Sequence, residues 1–449
     1  MERLFLESPL EYARESLAAL STSARADFED LGLVLFPAFE RDFDQTLKLV
    51  LFMSMAVSLL ASLLIYGGLR PAVRTDEELT TFRYSKDSKA CRKVVESIQR
   101  HVGDYVPPDW YSPHIGTTVP LGADLPMQYE RHVVHESSTE LVCVDWYPCK
   151  PKAIHPSPHN KEGRRQIRVA CVFPGLGLKS TSKFIKKFCH TIADGDEDMY
   201  VAVVLTRGVG CALKSARALW SPALTDDGER VIRYVHETHG KSAQIFLCGF
   251  SAGTNIVKTL LRSPKRRTFP VRGAFCVAAS NCDYLVARTA LEQTVSGQVY
   301  SRLIAGIYKD MVLSNTHVHA ELPADTLRAL RAVSCLSEYD EFAFEHLNQH
   351  LPSTKSREEY YQALSGGPGG LYCTRGVPLL VLQPADDPLH NGRVEQHLQP
   401  DELIRRNPRA IYMQTKHGNH FGYYEGCGIK TYTFPAKVAK VFINEVANE

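Results

Sequence analysis

"IFLCGFSAGTNIVKTLL", Ile245–Leu261, decides how this chain is read. Ile245-Phe246-Leu247-Cys248 is a short apolar run with the composition of a buried strand. Gly249-Phe250-Ser251-Ala252-Gly253 follows, and Asn255 to Leu261 then continues with few breakers as a helix. Strand, sharp glycine-flanked turn and helix together form a nucleophile elbow. In such an elbow Gly249 and Gly253 leave room where a Cβ would clash. Ser251 is held in a tight conformation with its hydroxyl exposed, and the Ala252 N–H points where an oxyanion would form. The five-residue pattern alone arises by accident in many chains, so the flanks carry the assignment.

Working outward, the same alternation repeats. Ile167–Phe173 reads as strand, Lys183–Ala193 as helix, Met199–Leu205 as strand and Asp227–Thr238 as helix. Phe275–Ala279, Leu379–Leu382 and Ala410–Met413 are further strands. Strands alternating with helices imply a mostly parallel sheet covered on both faces. Between about 281 and 370 the alternation stops and Tyr and Leu recur three or four apart, which predicts a helical cap inserted after a strand. Residues 150–165 hold three Pro and two His and read as an exposed loop, with His155 and His159 solvated rather than metal-bound.

A serine hydroxyl needs a base, and the base needs an acid to orient it. Both are available downstream, in the order Ser, Asp, His that α/β-hydrolases show. "LLVLQPADDPLH" puts Asp386 and Asp387 just past a strand end, and "QTKHGNHFGYYEG" puts His417 and His420 after the last strand. Open α/β sheets build their sites at such C-terminal strand ends. "VACVFPGLGLKS" supplies the second oxyanion donor: Gly175 allows close approach and the Leu176 N–H faces that of Ala252. No metal or cofactor is called for.

The 449 residues allow a full α/β core plus additions, and a net charge of +2 gives no sign of a nucleic-acid partner. The 12 cysteines are scattered without zinc spacing, so buried reduced thiols are expected. Leu49–Leu69, LVLFMSMAVSLLASLLIYGGL, is 21 residues without a charge, long enough for a transmembrane helix of about 30 Å. The expected organisation is a tail with a short helix from Ser8 (1–48), the span (49–69), a charged connector (70–97) and the hydrolytic domain (98–449). Lys and Arg near the span are Arg41 and Lys48 before it, and Arg70, Arg74, Arg83, Lys86 and Lys89 after it. That bias favours a cytosolic catalytic domain.

Several stretches resemble one branch of the α/β-hydrolases, AB hydrolase 4, which includes YheT-like hydrolases, yeast medium-chain fatty-acid ethyl ester synthases/esterases and membrane-anchored animal lipases and phospholipases. "VPPDWYSPHIGTTVP", "TELVCVDWYP", "TRGVG", "GFSAGTNIVKTLL", "LSEYDEFAF", "EEYYQALS" and "GNHFGYYEG" agree with it in order and content from about 98 to 440. The resemblance implies Ser251 as nucleophile, His420 as base and Asp387, which precedes Pro388, as acid. It leaves Asp386 an adjacent polar loop residue, His417 a surface histidine and His390 a loop histidine. It also implies a lumenal catalytic domain, against the charge bias. Two departures stand out. Pro174-Gly175 replaces His-Gly at the oxyanion turn, and Gly418-Asn419-His420 replaces Gly-Gly-His, which requires Asn419 to take left-handed angles. The function expected is a membrane-anchored serine hydrolase, or acyltransferase, acting on acyl esters of lipids. A non-catalytic ligand-binding or scaffold protein of the same fold is the alternative.

Overall fold

The structure is a computed structural model that describes residues 78–108, 111–114, 124–151, 166–216, 219–263, 271–347, 356–366, 376–425, 430–431 and 433–449. The tail, the uncharged span and residues 70–77 of the charged connector lie outside these residues, as do His155 and His159. Among the described residues no helix is long and apolar enough to cross a membrane.

Nine strands form one sheet: β1 (Thr80–Tyr84), β2 (Glu130–Glu136), β3 (Leu141–Tyr147), β4 (Ile167–Phe173), β5 (Met199–Val204), β6 (Ala243–Phe250), β7 (Val271–Val277), β8 (Leu379–Pro384) and β9 (Ala410–Thr415). Their order is β1-β9-β8-β7-β6-β4-β5-β3-β2. From β5 through β9 the strands run parallel, whereas β1, β3 and β2 pair antiparallel with their neighbours. The parallel strands are near-continuous apolar runs because both of their faces are covered.

The main helices are α1 (Lys89–His101), α2 (Lys183–Ala193), α3 (Asp226–His239), α4 (Ala252–Arg262), α5 (Tyr284–Glu292), α6 (Val295–Leu313), α7 (Thr316–Glu321), α8 (Ala324–Ala332), α9 (Leu336–Phe342), α10 (Arg357–Leu364), α11 (Val394–Leu398), α12 (Pro400–Arg406) and α13 (Thr433–Ala447). One core joins the sheet to α1, α2 and α13 through Val95, Phe184, Phe188 and Phe442. The other joins it to α3 and α4 through Val231, Ile232, Val257 and Leu260. A third cluster lies among α6 to α10, with Tyr339, Phe342 and Tyr360 at its centre.

The segment between β7 and β8 is helical, and buried polar groups tie it to the elbow helix. Lys258 of α4 is almost fully buried and donates to the Asn281 and Ser365 carbonyls, each at 3.0 Å. Burial pulls its ammonium down to about 8. Asn255 reaches the Ala363 carbonyl at 3.3 Å. The cap is thereby fastened at its first and last turns to the helix that carries the elbow.

The chain passes from β4 to β5 on one side, then crosses back so that β6 lies on the other side of β4. This reversal opens a crevice at the carboxyl ends of β4 and β6. The candidate residues converge there.

Candidate active site

Ser251 sits between β6 and α4 with φ 50° and ψ −121°. A non-glycine residue held there stores roughly 1–3 kcal/mol of strain, which the surroundings must offset. Three features do so. The Ser251 N–H donates to the Val277 carbonyl at 3.1 Å, and the Thr254 N–H returns to the Ser251 carbonyl at 2.9 Å. The flanking glycines also permit contacts that no side chain allows. A Cβ built on Gly253 would stand 2.1 Å from the Phe173 carbonyl oxygen, and one on Gly249 would stand 2.8 Å from Thr254 Cα.

The His420 imidazole closes over this turn. Its Nε2 lies 2.7 Å from Ser251 Oγ, and its Nδ1 lies 2.8 Å from Asp387 Oδ2. With the proton on Nδ1, that N–H donates to the carboxylate while Nε2 accepts from the Ser251 hydroxyl. The structure therefore brings Ser251, His420 and Asp387 into one hydrogen-bonded row.

Asp387 follows β8 and caps the turn Pro388–His390, accepting from the Leu389 N–H at 2.9 Å. Gln383, also buried, donates to it at 3.2 Å and accepts from the Ala279 N–H at 2.8 Å. Burial pushes the Asp387 carboxyl up, but His420, His390 and the hydrogen bonds outweigh it and hold the group below its ordinary value. His390 carries a burial that its loop position does not announce. It lies in a loop turn, as read, but is 3% exposed, with Nε2 3.7 Å from Asp387 Oδ2. Burial is the largest influence on it and pulls its imidazole down.

The loop after β4 lies against the elbow. A Cβ on Gly175 would be 3.2 Å from both the Phe250 carbonyl oxygen and Ser251 Cβ, so glycine is what lets this backbone approach the nucleophile. Leu176 is the next residue, and Ala252 opens α4, where the first amides have no acceptor within the helix. The two N–H groups named from sequence thus flank Ser251 on adjacent segments.

Asp386 and His417 carry more structure than the sequence suggested. Asp386 Oδ2 accepts from the Tyr111 hydroxyl at 2.5 Å and lies 3.3 Å from His417 Nδ1. Its Oδ1 accepts from the Asn419 N–H at 2.9 Å. The Tyr111 hydroxyl in turn accepts from the Gly418 N–H at 2.8 Å. Burial, and then the Asp386 charge, push the Tyr111 phenol well up, so it remains a donor to that carboxylate. Two successive amides immediately before His420 are thereby pinned. Asn419 takes φ 46°, the left-handed angle its position demands, and its side-chain oxygen accepts from the Phe421 N–H at 3.2 Å. Tyr111 lies in the quoted stretch VPPDWYSPHIGTTVP, but nothing there assigned it a role toward Asp386, 275 residues away.

"TRGVG" builds a buried support. Arg207 is 1% exposed; it donates through Nε to Asp227 at 2.7 Å and also pairs with Glu140 at 3.2 Å. Ten described cysteines are free thiols, and seven of them are buried. Burial pushes the Cys171 and Cys276 thiols up to about 12, so they are inert. Among the described residues no cluster of His, Cys, Asp and Glu has the makings of a metal site.

This sheet order, with a serine at the β6 elbow, an aspartate after β8 and a histidine after β9, is the α/β-hydrolase fold. The chain is 26% identical over 289 residues to monoacylglycerol lipase ABHD2 of Danio rerio, covering 60% of this chain and 61% of that protein. It is 23% identical to a monoacylglycerol lipase of Saccharomyces cerevisiae, covering 61% and 59%. The chain thus spans about three-fifths of the length of these curated relatives. A solved structure of fungal esterases from Rhizomucor miehei is 14% identical, with a TM-score of 0.37 over 87% of this chain and 96% of that one. No family model matches the chain.

Proposed function

We propose that this protein is a membrane-anchored serine hydrolase that cleaves acyl esters of lipids. The observation that carries the reading is the row Ser251–His420–Asp387, with contacts of 2.7 and 2.8 Å at the end of a strained elbow. Ser251 Oγ attacks the ester carbonyl while His420 Nε2 takes its proton. The tetrahedral oxyanion is held by the Ala252 and Leu176 N–H groups; removing one such donor typically costs about 100- to 1000-fold. His420 then protonates the leaving alcohol. Water, activated by the same imidazole, releases the acid and restores Ser251, whereas an alcohol in its place would make the reaction an acyl transfer. Asp387 stays ionised and holds the His420 tautomer.

A lipid ester is preferred to a soluble one for two reasons. The uncharged stretch Leu49–Leu69 reads as an anchor, and the relatives named above are monoacylglycerol lipases. The Lys and Arg count favours the cytosolic side for the catalytic domain. The test is release of fatty acid from a panel of monoacylglycerols, diacylglycerols and phospholipids by the full chain and by Ser251→Ala. Hydrolysis that persists in Ser251→Ala, or release from no lipid ester, contradicts the reading.

A further inference from the structure

Among the described residues, six large apolar side chains are conspicuously exposed, and four of them lie on one hairpin of the cap: Leu285 (38%), Val286 (55%), Val295 (83%) and Val299 (37%). Exposed charge on this hairpin, α5–α6, stands at the flanks of these residues: Asp283, which accepts from the Val286 N–H at 3.1 Å, and Arg302, one turn past Val299. From Tyr284 to Tyr300 the charged residues are Arg288 and Glu292. Arg288 turns inward to Asp340 at 2.6 Å, and Glu292 accepts from Ser301 Oγ at 2.6 Å and the Ser337 N–H at 3.0 Å. The other exposed residues of that stretch, Thr289, Gln293, Ser296 and Gln298, are uncharged.

The hairpin lies over the mouth of the site. The Ala290 carbonyl accepts from Asn391, just past the acid turn, at 3.3 Å. Further along α6, Ile307 meets Gly177 of the oxyanion loop, where a Cβ would stand 3.2 Å away. Its upper face therefore looks out from the carboxyl edge of the sheet.

The point at which the domain begins supplies the second observation. β1 runs antiparallel to β9, with Thr80 opposite Thr415, and the Lys416 N–H donates to the Leu79 carbonyl at 2.8 Å. The chain therefore enters the domain at the same carboxyl edge. Only residues 70–78 separate the uncharged stretch from this point, which at full extension reach about 30 Å. A domain on so short a tether must keep that edge near the membrane.

We infer that the exposed face of α5–α6 rests on the lipid bilayer and seats the mouth of the site at the headgroup boundary. The inference relies on the anchor proposed above. A lipid ester then passes from the leaflet towards Ser251 with its acyl chain shielded from water. The aliphatic residues go into the interface, and the uncharged polar ones lie among headgroups.

The test uses the full chain in phosphatidylcholine vesicles whose acyl chains are brominated, with a tryptophan introduced as Val295→Trp. Asp194→Trp, in the loop that enters β5 at the opposite edge, is the control. Loss of the added emission at position 295, with none at 194, is expected. Equal quenching at both positions overturns the inference. So does a position 295 that is dark to bromolipid yet shielded from aqueous acrylamide, because a protein surface then covers the hairpin. Carbonate washing separates the two claims: release of the chain sinks the anchor, whereas retention without quenching at 295 sinks only the docking. Val295→Glu/Val299→Glu should lower turnover of a vesicle-borne ester by about tenfold and leave a water-soluble short-chain ester unaffected. Equal losses on both substrates contradict the docking.

Discussion

Asp386→Asn separates the brace on the histidine loop from the row of reacting groups. The substitution keeps the size of the side chain and removes its charge. An amide oxygen at Oδ1 still accepts from the Asn419 N–H, now without assistance from a charge. At Oδ2 an NH2 replaces the acceptor, so the Tyr111 hydroxyl, already accepting from Gly418, loses the partner it donates to at 2.5 Å. Hydrogen bonds to charged groups contribute about 1.5–3 kcal/mol against about 0.5–1.5 for neutral ones, so weakening one and losing the other together removes about 2.5–4.5 kcal/mol. If all of that loss is expressed in the placement of His420, kcat/KM falls by at most about 2,000-fold. Asp387→Asn instead stabilises the wrong His420 tautomer and should cost about 10,000-fold. The assay is hydrolysis of a soluble short-chain ester, read beside the thermal midpoint of each variant. Tyr111→Phe should reproduce part of the Asp386→Asn loss. An Asp386→Asn as inactive as Asp387→Asn would mean that the acid has been assigned one residue too late. An Asp386→Asn indistinguishable from wild type in both activity and midpoint would show that the brace holds nothing.

Gly253→Ala should destabilise the fold by at least about 3 kcal/mol and abolish activity, because its Cβ would overlap the Phe173 and Pro174 carbonyls; a soluble, active variant in a denaturation series would refute that packing. Asp387 is held below its ordinary carboxylate value, so its own protonation should cut activity only below the ordinary carboxylate range; an Asp387-dependent loss at or above that range in the pH profile would contradict this. The same lowered carboxyl contributes stability above the unfolded carboxylate value of about 3.9, and that stability is lost as pH falls through its folded value. The Asp387→Asn deficit in a urea titration should therefore shrink at the acid end. Protease added to sealed microsomes should digest the catalytic domain if it is cytosolic, and a protected domain refutes that placement.

The central strands were legible because burial on both faces writes them as uninterrupted apolar runs. Ile167–Phe173 and the helix Lys183–Ala193 have the bounds read from sequence. β1 and β2 were not legible. TTFRY is half-exposed at the sheet edge and lies within what reads as a charged connector. ERHVVHE is mostly polar, and a bulge between Val133 and His135 breaks its alternation. The elbow could be found because it is local: its glycines, serine and helix are contiguous. The Tyr111–Asp386–Gly418 brace joins three distant segments, and nothing in any one of them marks it. The burial of His390 was not legible for a related reason, since it comes from the cap and the acid turn closing around it, which a loop composition does not reveal.

The most direct measurement of the central claim is covalent labelling of the full chain by a fluorophosphonate, followed by peptide mass mapping. The account predicts a single phosphonyl adduct, on Ser251, formed rapidly by the wild type and absent from Ser251→Ala. Labelling should be slowed severely in Asp387→Asn. A folded wild-type chain that takes no label, or one that carries the adduct on another serine, would contradict it.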